Sequence, residues 1–420
     1  MRITALAAAL LLTACASGEK NKSRPQIPKG PWSLASSVDG ARKPLAALEA
    51  FEIHRGTFTN SKFAASNYWQ AVGTYQALAG DTHEALEAFG KAAAGWGNAK
   101  QTLKPIPENF PIRDAIKTIL TAAESKRAVF INEAHHIPRD RAFSRRLLKG
   151  LYERGYRWFA FEAYSFLDSK LAARGYPIEK TGLYVQDPVF GMLVRDAIRI
   201  GFTPVAYEDE GACDNSRKET CSTQRDMAQA KNLEERTLGI DPEAKIFVHA
   251  GYGHIYKNPT DTWKPMAWFF VNSTGLETIS VDQTKLREKS DSTVEDSRRH
   301  AALERYSPRD SIALSDVDEQ GKVDYFVVHP TARYEQGRSD WLTDWSNRKL
   351  IDIPEILLTG SAPLMVEAYS VSESTEAVPW DRLVVRDLEN PPALALPPGR
   401  YIIKSTDGDG QARGEAPLSL

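Results

Sequence analysis

Apolar side chains recur along the chain with two different periods, and each period predicts one kind of element. Between Pro44 and Ala94 they return every three to four residues, which predicts a helical hairpin with its turn at Gly80-Asp81. From residue 112 onward, short β-rich runs alternate with amphipathic stretches. Strands are expected at 128–131, 158–161, 203–207 and 246–248, and helices at 139–154, 189–200 and 224–238. This βαβ series predicts an α/β fold, with a mainly parallel sheet covered by helices.

The pattern changes again beyond about residue 300, where it predicts a small β-rich C-terminal unit. Strands are expected at 324–329, 364–369, 382–385 and 400–404, with turns at 397–399 and 407–408; an alternative assigns some of these strands to the main sheet. The chain is accordingly divided into a signal peptide (1–14), a flexible tether (15–41), a helical hairpin (42–104), an α/β domain (105–299) and a β-rich region (300–420).

The helical hairpin is similar to a single tetratricopeptide repeat. The similarity rests on aromatic and small residues at matching offsets, namely Trp69, Gly73, Ala85, Phe89 and Ala92. Such repeats need neighbours for stability, so we expect the hairpin to cap the next domain. Binding of a peptide or of an envelope protein partner by this hairpin is the alternative.

The N-terminal residues predict a compartment. A charged start at Arg2 is followed by the uncharged run 3–12 and by small residues before Cys15, which resembles a bacterial lipobox. The resemblance implies cleavage before Cys15 and a lipid on that cysteine. Because Ala16 rather than Asp follows, it also implies anchoring to the outer membrane with the protein facing the periplasm. The alternative is an ordinary secreted protein with a free Cys15.

Charge and cysteine content narrow the function classes. The 53 Lys and Arg residues nearly balance 55 Asp and Glu, and the resulting net charge of −2 argues against a protein that grips a nucleic-acid backbone. In an oxidising periplasm, Cys213 and Cys221 are close enough in sequence to close a short loop, so we expect a disulfide. Metal ligation by this pair is the alternative, and the lack of a second cysteine pair weighs against it.

Ionisable residues follow the predicted strands of the α/β domain. The first strand leads to Glu133, His135 and His136, the second to Glu162, and the last to His249 and His254. The carboxyl ends of parallel strands line one crevice, so these residues are expected to meet there and to ligate a metal, to transfer protons, or both. Individually they also fit capping, ion-paired or surface roles, and His249 fits a hydrogen-bonded core histidine.

Three arginines complete the candidate site. Arg139 and Arg141 lie at the start of the helix after the histidines, and Arg225 lies near the start of another helix. Their charges, together with the helix N-termini, would favour a substrate carboxylate or an oxyanion.

In the order and spacing of its motifs, the segment from Ile112 to Asp282 resembles the superfamily of erythromycin esterases, Tiki-type and TraB-type proteins, and the haem-binding lipoprotein ChaN. The motifs are residues 132–136 (Asn-Glu-Ala-His-His), the strand-end Glu162, residues 225–228 (Arg-Asp-Met-Ala) and residues 251–254 (Gly-Tyr-Gly-His). Asn132 departs from the usual glycine, which indicates a divergent branch.

The resemblance implies different roles in different branches. In the esterase pattern His136 is the general base, Glu133 and Glu162 orient it, and Arg141 or Arg139 meets the oxyanion. In the Tiki-like pattern His135 and His254, with Glu133 or Glu162, ligate a divalent metal such as Zn, Mn or Co. Both patterns imply a hydrolase that cleaves an ester or amide bond of a small molecule or peptide.

The ChaN-like alternative is a haem- or iron-binding lipoprotein without turnover, with Tyr164, Tyr207 or Tyr252 as a phenolate ligand. A catalytically inactive scaffold is a further alternative, against which the set of acids and histidines argues.

Overall fold

The computed structural model describes residues 30–95, 112–209, 211, 213–306, 310–315 and 321–420. The predicted signal peptide (1–14), the lipidation site Cys15 and the tether up to residue 29 lie outside the described residues. Within the described residues, no helix combines the length and the apolar character needed to cross a bilayer.

The N-terminal part of the described chain is helical. Its helices are α1 (Pro31–Ser37), α2 (Pro44–Ile53), α3 (Arg55–Phe58), α4 (Lys62–Leu78) and α5 (Thr82–Gly95). The flexible tether is expected over 15–41, but α1 lies within this range, so residues 31–37 are helical and not part of a tether. Leu34 and Ala35 of α1 are buried in one cluster with Ala47 and Tyr75, so burial of apolar side chains holds this segment in the fold.

The predicted helical hairpin is formed by α4 and α5, and its turn lies where the sequence places it. Gly80 adopts a positive φ of 81°, which glycine reaches without steric cost. The close approach of the two helices depends on Gly73, because a Cβ on this residue would lie only 2.4 Å from Cδ2 of Phe89. Of the repeat-like pattern, Gly73 and Phe89 therefore pack directly against each other.

The α/β region follows the expected alternation. Its elements are β1 (Ile112–Asp114), α6 (Ala115–Ala123), β2 (Ala128–Glu133), α7 (Pro138–Glu153), β3 (Trp158–Phe161), α8 (Leu171–Arg174), α9 (Pro188–Ile200), β4 (Thr203–Val205), α10 (Cys221–Thr237), β5 (Ile246–Gly251), α11 (Met266–Thr274), β6 (Thr278–Asp282), α12 (Ser297–Tyr306), β7 (Ile312–Ser315) and β8 (Tyr325–Val328).

Among the described residues, eight strands form one mainly parallel sheet in the order β1-β7-β8-β6-β2-β5-β3-β4. The neighbours from β8 to β4 pair in parallel, whereas β7 pairs antiparallel with both β1 and β8. The sheet continues past the domain boundary expected at residue 299, because β7 and β8 belong to it. This extension is the alternative that the sequence left open.

Both faces of the sheet are covered, as a parallel sheet requires. Alternate residues of β2 face opposite sides: Ile131 joins the core with Phe143 and Leu147 of α7, while Phe130 joins the core with Phe270 of α11. All six residues of β2 are buried, which explains why its sequence reads as a continuous apolar run that ends in Asn132 and Glu133.

The C-terminal region is β-rich and has its own core. Its elements are β9 (Tyr334–Glu335), β10 (Arg338–Ser339), α13 (Trp341–Asp344), β11 (Lys349–Ile351), β12 (Leu364–Ser370), β13 (Asp381–Val385), β14 (Leu394–Leu396), β15 (Arg400–Thr406) and β16 (Ala412–Ser419). An antiparallel sheet in the order β13-β12-β15-β16 buries Val366, Val385 and Ile403. The fold is thus α/β with an N-terminal helical hairpin and a C-terminal β unit, as predicted.

Candidate functional site

Neighbouring strands deliver charged side chains to one edge of the sheet, as the strand pattern predicts. β2 ends at Glu133, Glu162 follows β3, and His254 lies in a short 3-10 turn after β5. The ends are level, because Glu133 pairs with Gly251 and the amide of Glu162 donates to the carbonyl of His249. We name two groups by their central carboxylates: the Glu133 cluster (Glu133, His135, Arg141, Asp187) and the Glu162 cluster (Glu162, Glu208, Arg225, Asp226, His254).

A bidentate ion pair organises the Glu133 cluster. Arg141, in the first turn of α7, donates from Nε to Glu133 Oε2 at 2.5 Å and from Nη2 to Oε1 at 2.7 Å, and its Nη1 lies 3.2 Å from Oδ1 of Asp187. Both Glu133 and Arg141 are buried. Burial by itself would raise the pKa of Glu133, but the adjacent guanidinium lowers it well below its usual range. Glu133 is therefore an ionised, fixed carboxylate.

His135 is oriented by this carboxylate. Its Nδ1 lies 2.9 Å from Glu133 Oε1, and its ring stacks on Tyr184 at a centroid separation of 3.8 Å. A carboxylate at Nδ1 favours the tautomer with the proton there, which leaves a lone pair on Nε2. A Cβ on Gly251 would lie 2.6 Å from this Nε2 and 2.8 Å from Oε2 of Glu162, so Gly251 keeps the space between the two clusters open.

His136, the neighbouring residue, has a different environment. It is buried, its ring stacks on Phe89 of the hairpin at 3.5 Å, and its Nδ1 lies 3.5 Å from the hydroxyl of Tyr252. Burial, aided by the charge of Arg287, holds the pKa of His136 well below its usual range. The esterase pattern places the base at His136, but in this structure Glu133 contacts His135 instead.

The Glu162 cluster is built on Arg225. Its Nη2 lies 2.8 Å from Glu162 Oε1 and 2.9 Å from Glu208 Oε1, while the amide of Gly251 donates to Glu162 Oε2. Burial would raise the pKa of Glu162, but His254 and other nearby cations lower it to about 2. Arg225 is 37% exposed, so this cluster reaches solvent, unlike the buried Arg141.

His254 has a carboxylate partner that the sequence did not single out. Its Nδ1 lies 2.5 Å from Oδ1 of Asp226, a fully buried residue that also accepts from Trp263 Nε1 and from the amide of Met266, each at 2.8 Å. Burial would lower the pKa of His254, but Glu162 and Asp226 raise it above its ordinary value. His254 therefore keeps its positive charge to higher pH than a free histidine.

The other predicted site residues are held in place by protein contacts. His249 is fully buried, its Nε2 lies 3.6 Å from Glu133 Oε2, and neither ring nitrogen has a hydrogen-bond partner among the described residues. Burial lowers the pKa of His249 to about 4, so its ring is neutral. Arg139 pairs with Glu288 at 3.0 Å and donates to the carbonyl of Pro330. Neither Arg139 nor Arg141 is free to meet an oxyanion, so Arg225 is the most accessible of the three predicted arginines.

The donor arrangement does not fit the predicted Zn, Mn or Co site at His135, Glu133, Glu162 and His254. The oxygens of Glu133 already hold Arg141 and His135, and those of Glu162 hold Arg225 and a backbone amide. Throughout the described part of the chain, no group of three or more His, Cys, Asp or Glu side chains could hold a metal ion.

The hydroxyls of two of the tyrosines proposed as haem ligands donate to backbone carbonyls in this structure. Tyr207 donates to the carbonyl of His249 at 3.3 Å, and Tyr164 donates to that of Asp168 at 3.2 Å. Burial raises the pKa of Tyr164 and of Tyr252 to about 12, and it raises the pKa of Tyr207 well above its ordinary value. Without a bound metal, these phenols keep their protons at neutral pH.

The predicted disulfide between Cys213 and Cys221 is present. Cys221 is the first residue of α10, and the loop before it is also tied to this helix by Gln224, whose Nε2 donates to the carbonyl of Asp214 at 2.9 Å. The bond thus anchors the start of the helix that carries Arg225 into the site.

Two non-glycine residues at the site adopt left-handed backbone conformations. Ala163, directly after Glu162, has a φ of 67°, and Tyr252, directly after Gly251, has a φ of 43°. Such conformations cost free energy and recur where function requires a fixed geometry. A cleft of about 390 Å³ lies elsewhere, between the start of α2 and the C-terminal unit, and is lined by residues such as Lys43 and Arg382. The ionisable residues of the two clusters lie instead at the strand ends, which we take as the candidate site.

Comparisons with known proteins do not identify the chain. No family model and no curated protein matches it. Similar solved structures include the type III effector HopBA1 (TM-score 0.32, 13% identity, 55% of this chain and 98% of that one), ChaN of Campylobacter jejuni with cofacial haem (0.31, 10%, 54% and 99%) and a structure of bacterial protein toxins (0.30, 13%, 52% and 46%). At these values the similarities carry no conclusion about function.

Proposed function

We propose that this protein is a hydrolase that cleaves an ester or amide bond of a small molecule or peptide with an activated water. The observation that carries the proposal is the contact between Glu133 and His135. Arg141 holds Glu133 in place by an ion pair, and Nε2 of His135 lies beside Gly251. A buried carboxylate that orients an imidazole in this way is a recurrent arrangement for general-base catalysis.

The base side of the reaction is assigned to His135. Its Nε2 takes a proton from water as the water oxygen attacks the carbonyl carbon, and Glu133 stabilises the imidazolium that forms. Glu133 is a positioning residue in this scheme, because its own pKa is held so low that it does not take the proton.

The acid side is assigned to the Glu162 cluster. His254, whose pKa is raised, donates the proton from Nε2 to the leaving oxygen or nitrogen as the carbonyl bond breaks, which yields an acid and an alcohol or amine. Its Nε2 is 3.4 Å from Arg225 Nη1 and 3.9 Å from Glu162 Oε1, so no strong hydrogen bond holds this nitrogen. The exposed guanidinium of Arg225 stabilises the oxyanion.

Variants of the two adjacent histidines, His135 and His136, test which of them is the general base. The full chain is assayed against a panel of chromogenic esters and anilides, with His135→Ala and His136→Ala as matched variants. Because a positioned general base contributes about 10²- to 10⁴-fold, His135→Ala is expected to lose that factor in kcat, while His136→Ala retains most activity. Loss confined to His136→Ala, or full activity in both, overturns the assignment.

We further propose that Cys15 carries a lipid that anchors the protein to the outer membrane on its periplasmic side. The Cys213–Cys221 disulfide supports an oxidising compartment. Membrane fractionation of the wild type and a Cys15→Ser variant tests this, with release of the variant from the membrane as the expected result and unchanged membrane association as the contrary one. Recognition of an envelope partner by the hairpin stays a prediction.

A further inference from the structure

One arginine beside the site has no role in the scheme above. Arg287 is partly buried in the loop after β6, and its Nη1 donates to the carbonyl of Thr284 at 2.7 Å. The ion pairs of the described residues include none with Arg287, although its neighbour Glu288 pairs with Arg139. A guanidinium has five N–H donors, so most of its capacity is open to a ligand.

Hydrogen bonds connect this arginine to the wall of the site. Asn132 Nδ2 donates to the carbonyl of Tyr252 at 2.7 Å and to Oγ1 of Thr284 at 3.3 Å, and Thr284 is the residue that Arg287 contacts. Tyr252 in turn meets the ring of His135 edge-on, at a centroid separation of 5.3 Å. Four residue contacts, through Thr284, Asn132 and Tyr252, thus link Arg287 to the side chain assigned as the base.

The electrostatics agree with this placement. Arg287 is the foremost charge acting on both His136 and Tyr252: it adds to the lowering of the pKa of His136 by burial, and it opposes the raising of the pKa of Tyr252 by burial. The surrounding loop also carries Lys285 and Lys289, while its Glu288 is paired with Arg139. A charge without a carboxylate partner in a partly buried wall favours an anionic ligand.

We propose that Arg287 binds an anionic group of the substrate, so that the enzyme prefers esters or amides that carry a carboxylate or phosphate besides the bond to be cleaved. The substrate preference rests on the proposed hydrolase function. The binding of an anion by Arg287 can be measured without turnover. Arg287 is a specificity-determining residue in this scheme, and the carboxylate is the form that we expect.

The test measures binding in a His135→Ala background, where the proposed chemistry is blocked. Monomethyl glutarate, dimethyl glutarate and inorganic phosphate are titrated by isothermal calorimetry. The monoester is expected to bind more tightly than the neutral diester. Adding Arg287→Gln is expected to reduce its affinity by roughly tenfold or more, the usual size of a lost charge-assisted hydrogen bond. Lys285→Gln, which removes the same charge two residues away, is the matched control and is expected to change affinity less than threefold.

The outcomes separate this inference from the proposed function. Equal affinity for monoester and diester, no binding of either anion, or an unchanged affinity in Arg287→Gln overturns the role of Arg287. Phosphate that binds more tightly than the monoester, with the same loss in Arg287→Gln, identifies phosphate as the preferred anion. If Arg287-dependent binding is found but wild-type protein hydrolyses no ester or amide, the anion site stands and the hydrolase proposal fails.

Discussion

The Glu133 cluster and the Glu162 cluster are built from the same residue types, yet they differ in burial and in the charges that surround each histidine. Each pairs a strand-end glutamate with an arginine and places a histidine against a carboxylate. Arg141 is 1% exposed, whereas Arg225 is 37% exposed. His135 contacts Glu133, whose charge is paired with that of Arg141. His254 lies near Asp226 and Glu162, which together raise the pKa of His254.

This difference shows how the same residue types acquire different properties at one edge of a sheet. Burial and neighbouring charges, not the residue type, decide how far a pKa departs from its ordinary value. Under the proposed function, the buried cluster fixes the geometry of the base, and the more exposed cluster supplies the acid. Three variants test this division.

The largest expected effect is on stability, in Arg141→Met. This change leaves Glu133 buried without its cation, and breaking a buried ion pair typically costs about 3–5 kcal/mol. Arg225→Met is the matched variant in the other cluster, where solvent reaches the arginine, so its stability loss is expected to be smaller while its activity falls. Urea unfolding followed by fluorescence measures both. Equal losses would show that the two clusters do not differ as described.

The second expected effect is on activity, in Gly251→Ala. The backbone of Gly251 (φ −76°, ψ 143°) suits alanine, but the new Cβ would lie 2.4 Å from Cε1 of His135. The ring must move, and such a misplacement can lower kcat about 100-fold with little change in folding. Gly56→Ala, where a Cβ meets nothing within 4 Å, is the control. A kcat equal to that of the wild type in Gly251→Ala would show that the reaction does not take place in the space beside Gly251.

The smallest expected effect is a shift of the pH profile, in Asp226→Asn. The acid role needs protonated His254, so activity declines as pH rises through its pKa. Removing the negative charge of Asp226 lowers that pKa, and the alkaline limb of kcat is expected to move to lower pH. A profile recorded from pH 5 to 10 measures the shift. A limb that stays in place, or moves to higher pH, would assign the acid to another group.

The sequence by itself determined the fold class, the helical hairpin and the strand ends that carry the ionisable side chains. These follow from local periodicity: the run that ends at Glu133 and the helix that carries Arg141 are readable because each element buries a regular set of apolar side chains. The short Cys213–Cys221 loop was equally readable, since its ends are eight residues apart.

Only the tertiary structure decided which neighbours each functional group has. His135 and His136 are adjacent, yet one contacts Glu133 and the other Phe89, because the chain turns after β2 and the hairpin packs there. Tyr184 comes from a segment whose local pattern does not mark it as a site residue, and the 225–228 motif that contains Asp226 does not reveal that this carboxylate contacts His254. Proton affinity depends on burial and on charges distant in sequence, so residue identity alone does not set it.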